Sequence, residues 1–334
     1  MLATYFTAKD EVTVKDADNP APGPGEALIR VRACGICGTD LHFYHGDLPA
    51  PPTFSPGHEF AGEIAGLGEG VKGFAEGDRV AVEPIIRCGW CTYCLTGQYQ
   101  LCPKRILVGA YHQGALAEYV VVPAYTLYKL PDEVDFALGA FVEPLAVSVH
   151  GAHLAHIGPG QKVLVLGTGA IGLTSVIAAK HSGAAEVIAT YRHEHQGQAA
   201  LAAGAARIVK PDEAADLQSE SIDAVIQTVG GDTIEQALHI VRLGGWICVL
   251  ALSTAPVPIS ALSLVRKEAH IVGGITYCRP GHQSDFDVAI GILKADPERA
   301  RKLITHTYPL AEVGDAFAAA ADKTTKSLKV QVQI

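Results

Sequence analysis

Apolar and polar positions alternate in short runs through the first third of the chain, and the period then changes. Ala27-Leu-Ile-Arg-Val-Arg32, Asp78-Arg-Val-Ala-Val82 and Ala117-Glu-Tyr-Val-Val-Val122 are short strand-like runs separated by Gly and Pro, the first following a Pro-Gly-Pro-Gly turn. They predict a β-rich, barrel-like body from Met1 to about Tyr128. From Phe136 to about His156 the spacing becomes helical. Beyond it, apolar runs at Lys162–Gly167, Glu186–Thr190, Arg207–Lys210, Asp223–Thr228, Trp246–Leu250 and Ala269–Gly273 are mostly separated by helical segments. Six strands in that rhythm predict a parallel, doubly wound sheet. The Ala-rich stretch Ala199–Ala206 reads as a helix capped at Gly204. From about residue 283 the pattern returns to a helix and a terminal strand, Ser327–Gln333, expected to rejoin the first body. The expected class is α/β, with residues 1–146 and 283–334 in the β-rich domain and 147–282 in the doubly wound one.

A length of 334 residues, 49% of them hydrophobic, and a mean hydropathy of +0.21 provide a core for each of two domains. A net charge of −9 weighs against nucleic acid as a partner, since phosphate backbones are held through excess Lys and Arg. The first ten residues lack a leader's apolar core, and no uncharged apolar run reaches membrane-spanning length. A cytoplasmic protein with reduced thiols and no membrane partner is the expectation.

Those thiols are informative. Cys88, Cys91, Cys94 and Cys102 follow a Cys-x2-Cys-x2-Cys-x7-Cys spacing, and four thiolates so close fill the tetrahedral shell of a structural zinc ion. Disulfides fit poorly with a chain of this length and no leader, and an iron–sulfur cluster lacks a second cysteine group. Upstream, Cys37 and the pair His58-Glu59 form a second donor set, which leaves one coordination position for water or a substrate oxygen. Cys34, Cys248 and Cys278 read as small buried apolar side chains. Glu63, Asp78 and Glu83 read as structural, and His150, His153 and His156 as a polar helix surface.

In the second half, Gly167-Thr168-Gly169-Ala170-Ile171-Gly172 follows the apolar run Val163–Leu166 and opens a helical segment. This is the Rossmann dinucleotide fingerprint: the first glycine makes the turn, the second admits the pyrophosphate, and the third lets helix pack on strand. NAD-binding sheets of this kind place an acidic residue about 20 residues further on, to accept from the ribose hydroxyls. Tyr191 stands there, followed by Arg192 and His193. Arg192 suits a 2′-phosphate and Tyr191 or Arg192 suits the adenine face, so NADP is favoured over NAD. In the alternative, Arg192 is a solvated charge and Glu194 reaches back to the ribose.

Taken together, Gly35-Ile-Cys37-Gly-Thr39-Asp40-Leu-His42, Gly57-His58-Glu59-x-x-Gly62-x5-Gly68, Val142-Glu143-Pro144, the cysteine lobe and the glycine turn resemble the zinc-dependent medium-chain dehydrogenases, the alcohol, sorbitol and threonine dehydrogenase superfamily. The resemblance implies a GroES-like catalytic domain beside the Rossmann domain, two zinc ions per subunit, and homodimers or homotetramers. It further implies that Cys37, His58 and Glu59 hold the catalytic zinc. Glu143 occupies the place where liver-type alcohol dehydrogenases carry a second cysteine, and Glu59 or Glu143 is expected to exchange with substrate. Thr39 matches the hydroxyl relay and His42 the position that passes the proton to solvent, while Asp40 is expected to support the site by accepting a hydrogen bond. The implied substrate is a secondary alcohol: a polyol, sugar, diol or amino alcohol.

The sequence departs from the sugar and polyol branches at Gly274-Ile-Thr-Tyr-Cys-Arg279, where their arginine is displaced. Tyr44, Phe54 and the segment Leu107–Gly114 with Tyr111 are candidates to line the pocket. Two other readings stand beside this one. A zinc-independent quinone or enoyl reductase of the same superfamily would lack the metal ligands, and in a non-catalytic zinc-bearing nucleotide-binding protein Cys37, His58, Glu59 and Thr39 should have decayed.

Overall fold

The computed structural model describes residues 1–49, 55–231, 233–252 and 256–334. Phe54, a candidate pocket residue, lies outside them. The described chain divides into two compact units, Met1–Glu143 with Cys278–Ile334, and Pro144–Tyr277.

The strand Glu26–Gly35 organises the first unit. Ala27, Ile29 and Val31 are buried while Leu28, Arg30 and Arg32 keep contact with solvent, and from Ala33 to Gly35 every residue is buried. The strand pairs antiparallel with Glu59–Leu67, Gly35 opposite Glu59, and with Tyr119–Pro123 over its first half. At its end it pairs with the C-terminal strand Lys329–Gln333, Gly35 opposite Gln331. The resulting seven-stranded sheet packs Ile29, Val31, Phe60, Ile64, Val120 and Val332 into one core, with Phe317 added from the helix Val313–Ala321. Gly62 answers a close approach within that sheet, because a Cβ there would run into the Arg30 carbonyl oxygen.

The second unit is a six-stranded, all-parallel sheet in the spatial order Arg207–Val209, Glu186–Thr190, Lys162–Leu166, Ile222–Gln227, Val241–Val249, His270–Gly273. Val163, Leu164 and Val165 are fully buried, as strands covered on both faces must be. Growth of the sheet reverses between Lys162–Leu166 and Ile222–Gln227, and open α/β sheets bind ligands at such a switch point. The Ala-rich helix spans Glu194–Ala203 and ends at Gly204 in the left-handed conformation, φ 113°.

Three expectations need correction. The strand expected at Trp246 begins at Val241, because Gly244-Gly245 interrupts the apolar pattern without interrupting the strand. A strand at Ile304–Pro309 and a helix at Val313–Ala321 precede the terminal strand; the former lies at a sheet edge, half of its residues exposed, and so lacks an apolar signature. His153 is exposed on the helix Phe136–Leu154, but His150 is buried and His156 lies beyond its end at φ 52°. Helical spacing places residues on a face and cannot say which flank is covered. No helix among the described residues is long and apolar enough to cross a membrane.

Glu83, next after the strand Arg79–Val82, is fully buried. Its carboxylate accepts from the Tyr99 and Tyr128 hydroxyls at 3.1 and 2.8 Å and from Arg87 at 3.3 Å. Burial outweighs these partners and pushes its pKa from 4.5 to about 7. Folded protein therefore binds a proton there that the unfolded chain releases, a contribution complete below pH 4.5 and lost as pH rises through about 7. Raising the pH across that window should cost wild type up to about 3 kcal/mol of stability relative to Glu83→Gln. Urea unfolding of both proteins at both ends of the window checks this, and a constant difference between them would contradict it.

Candidate metal centres and cofactor site

The four lobe cysteines converge although their chain neighbours are solvent-facing. Cys91 caps the single helical turn Thr92–Leu95, and Gly89 and Gly97, both at positive φ, turn the chain on either side. Sulfur–sulfur separations are 3.5 Å for Cys91–Cys94, 3.6 Å for Cys88–Cys102 and 3.8 Å for Cys88–Cys94. All four lie within 4.8 Å of one another. A tetrahedral zinc shell with bonds of about 2.3 Å has edges of about 3.8 Å, so the donor set fits the ion. Electrostatics agree with that fit. Backbone N–H groups of Trp90 and Cys91 draw the Cys88 thiol down to about 6, whereas burial and the adjoining thiols push Cys94 up to about 12. Four thiolates in contact require a cation among them.

The second set is assembled where the ends of two strands meet one helix of the same unit. Cys37 immediately precedes the helix Gly38–Tyr44, and Asp40 on its first turn accepts from the Cys37 backbone N–H at 2.9 Å. His58 and Glu59 stand at the start of the strand Glu59–Leu67, both buried. Donor atoms of Cys37, His58 and Glu59 lie within 4.8 Å of one another, near the spacing of a tetrahedral shell with one open place. His58 Nδ1 is 3.8 Å from Asp40 Oδ1, and neither buried atom has a hydrogen-bond partner. Burial disfavours a charged His58, but Asp40, Cys37 and Glu143 outweigh it and hold its pKa well above the ordinary value. The pocket is thus built to hold positive charge, as a metal site requires. Glu143, buried on the helix Phe136–Leu154, lies outside the close cluster, though its charge reaches His58.

One member escaped the sequence pattern. Lys329, on the C-terminal strand, is buried, pairs with Glu59 Oε2 and donates to the Ile36 carbonyl at 3.0 Å. Gly35 sits between them: a Cβ there would collide with Glu59 Oε2 and come within 3.0 Å of Lys329 Cε.

Thr39 is half-buried and His42 exposed, three residues apart and so on one face of the helix Gly38–Tyr44. His42 Nδ1 lies 3.1 Å from Asp47. Tyr44 is a core aromatic, its ring 5.3 Å from that of Phe317, whereas Tyr111 is exposed. Arg279 binds the His282 carbonyl and Asp287. Glu63 and Asp78 pair with Arg32 and Lys129. Cys34, Cys248 and Cys278 are buried thiols, the last two pushed up to about 12 by burial.

In the second unit, Gly167 turns at φ +96°, and a Cβ at Gly172 would collide with its carbonyl oxygen. The Gly167 N–H donates to Thr190, Thr168 is buried, and Gly169 begins the helix Ala170–His181 with no side-chain cap. Ala170 and Ile171 are half-buried in its first turn. Backbone N–H groups at this helix start suit a pyrophosphate. Further along, Arg192 is exposed and Glu194 turns to Gln198 at 2.9 Å. Tyr191 packs against Gly197, and Lys210 Nζ lies 4.1 Å above its ring centre. Lys210, at the end of the third strand in sequence, is a cation that the motif did not signal.

Comparison with known proteins agrees with this geometry. The alcohol dehydrogenase GroES-like domain family matches residues 23–132 and the zinc-binding dehydrogenase family residues 170–295. Sorbitol dehydrogenase of Bacillus subtilis is 32% identical over 346 aligned residues, covering 99% of this chain and 97% of its own. L-threonine 3-dehydrogenase of Bacillus licheniformis is 36% identical over 304, covering 87% of each. The crystal structure of galactitol-1-phosphate dehydrogenase from Escherichia coli matches all of both chains with a TM-score of 0.93 at 26% identity.

The two donor sets should be separable. Cys94→Ser is expected to lose one zinc equivalent together with stability, because metal binding is linked to folding. His58→Ala should lose the other equivalent and the activity while remaining folded. Metal analysis with circular dichroism on both variants checks this, and one ion per subunit in fully active wild type would exclude the division.

Proposed function

This chain belongs to the zinc-type medium-chain dehydrogenases and is an alcohol or polyol dehydrogenase; from that premise we propose that it exchanges hydride between a secondary alcohol and NADP at a site built from Cys37, His58 and Glu59. The observation that carries the reading is the approach of those three donors within 4.8 Å at the foot of the helix that bears Thr39. Bound there, zinc would supply Lewis acidity that lowers the pKa of a substrate hydroxyl. Asp40, whose charge lies 3.8 Å from His58 Nδ1, supports that imidazole electrostatically, and Glu59 and Glu143 are the carboxylates available to yield a place to the alcohol oxygen. The Thr39 hydroxyl takes the substrate proton and releases its own toward His42, which is exposed and delivers it to water.

The turn Gly167–Gly172 holds the cofactor pyrophosphate. Arg192 and Lys210 supply positive charge for a 2′-phosphate, and Glu194, engaged with Gln198, leaves the ribose without a carboxylate partner. Because the Tyr191 ring is already covered by Lys210, adenine stacking falls to Arg192. The relatives act, by their names, on sorbitol, threonine and a sugar-alcohol phosphate, and this supports a substrate among polyols, sugars, diols and amino alcohols. We place the enzyme in the cytoplasm, where its cysteines stay free for metal, as a homodimer or homotetramer. The strand His270–Gly273, which lies at the sheet edge among the described residues, and the exposed Leu252, Leu262 and Val265 support association.

A screen of those substrate classes for zinc-dependent reduction of NAD and NADP tests the reaction; no turnover with any class would overturn it. Thr39→Val should bind substrate normally but lose about 10²–10⁴-fold in the hydride step through failed proton transfer. Single-turnover rates check this. Arg192→Ala should lower kcat/KM with NADP by about tenfold or more while sparing NAD, and Tyr191→Asp should invert the preference. Wild type preferring NAD, with neither variant altering the ratio, would remove the NADP assignment.

A further inference from the structure

The proposed proton path ends at an imidazole, and an imidazole has two nitrogens. Only the one that lacks a hydrogen can take the proton that Thr39 releases. In His42 one nitrogen is already committed, because Nδ1 lies 3.1 Å from Asp47 Oδ2. An ionised carboxylate accepts and cannot donate, so this contact requires the hydrogen on Nδ1. Nε2 is then the bare nitrogen. Among the described residues Asp47 is the only side chain hydrogen-bonded to the His42 ring.

The local backbone holds Asp47 against its partner. Its N–H donates to the His42 carbonyl at 2.9 Å, so main chain and side chain of one residue both engage the other. The Leu48 N–H donates to the same carbonyl at 3.2 Å. Gly46 makes this closure possible: at φ 73° it turns the chain back at the end of the helix Gly38–Tyr44, its N–H on the Phe43 carbonyl at 3.1 Å. A second element pins the same turn. Asp10, at the bend between the paired strands Leu2–Ala8 and Glu11–Asp16, adopts φ 60°, a conformation that aspartate tolerates better than most residues. It donates its N–H to the Tyr44 carbonyl at 2.7 Å, and its Oδ1 lies 2.5 Å from His45 Nδ1.

We propose that Asp47 is a positioning residue of the proton path, fixing His42 with its hydrogen on Nδ1 so that Nε2 receives the proton. Nε2 bonds the proton as the Thr39 oxygen releases it, the ring becomes an imidazolium beside the carboxylate, and Nε2 then passes the proton to water. Asp47 keeps no proton and touches neither substrate nor metal. Its role rests on the path from Thr39 to His42. The His42 and Asp47 side chains are 50% and 60% exposed, so water screens their attraction. The weight of the pair lies in selecting the tautomer and the ring orientation.

Asp47→Ala removes the acceptor and keeps the backbone N–H that closes the helix. Nitrogen-15 shifts of histidine-labelled protein, recorded with the imidazole neutral, report which nitrogen carries the hydrogen; loss of a signal in His42→Gln identifies His42. The hydrogen should sit on Nδ1 in wild type and be shared between both nitrogens in Asp47→Ala. In single turnover with the alcohol and cofactor that the screen selects, Asp47→Ala should slow hydride transfer about fivefold, the upper scale of an exposed pair. The steady-state alcohol KM should not change. A His42 hydrogen on Nε2 in wild type, or one tautomer common to both proteins, overturns the proposal. So does a wild-type rate in Asp47→Ala when His42→Gln is slow. A wild-type rate in His42→Gln removes the path through His42 and the role of Asp47 together, and because the tautomer is read without substrate the two failures are distinguishable.

Discussion

Burial of ionisable groups at the junction of three strands is the constraint on which the first unit depends. Asp40, His58, Glu59 and Lys329 are all nearly inaccessible to water, and Cys37 is half-buried beside them. A charge removed from water is costly unless an opposite charge or a hydrogen bond answers it, so none of these residues is tolerable by itself. Asp40 is held by the Cys37 backbone N–H, and Glu59 by Lys329. The cluster has more negative than positive members, and its imidazole is consequently biased toward the charged form. A divalent cation resolves that imbalance, and the geometry of the donors fits one.

The two donor sets answer the same electrostatic problem in different ways. The cysteine lobe lies within one short stretch, at the protein surface, and draws on backbone N–H groups of its own tight turns. Its geometry is local and owes little to the sheet. The second set joins the end of one strand, the start of another and a helix, with its Glu59 paired from the C-terminal strand, and so exists only when the sheet is complete. Neighbouring charges bear on its donors as well, Lys329 on Glu59 and Glu143 on His58.

Much of the architecture was legible because local periodicity and tertiary burial agree. Val163-Leu-Val-Leu166 reads as a fully covered strand and is one, and Gly204 ends its helix where only a left-handed residue fits. Reading failed where a residue's environment comes from elsewhere in the chain. Ile304–Pro309 carries too few apolar residues to stand out, because a sheet edge leaves half of it in solvent. His150 and His153 share one helix and differ in burial through what covers each flank. Tyr44 ends the helix Gly38–Tyr44 and turns into the core against Phe317.

By itself the sequence determined the donor types, the four-cysteine spacing, the glycine-rich turn between strand and helix, and the alternation of strands and helices. These are properties of contiguous residues, set by covalent spacing and by backbone conformations that particular side chains allow or forbid. Tertiary structure alone decided which charges meet. Lys329 reaches Glu59 and its cluster from 293 residues beyond Ile36, and Lys210 comes to lie over Tyr191 because parallel strands place their ends side by side. Coulombic and hydrogen-bond energies depend on distance in space, and in water-excluding surroundings they outweigh anything that proximity along the chain can signal.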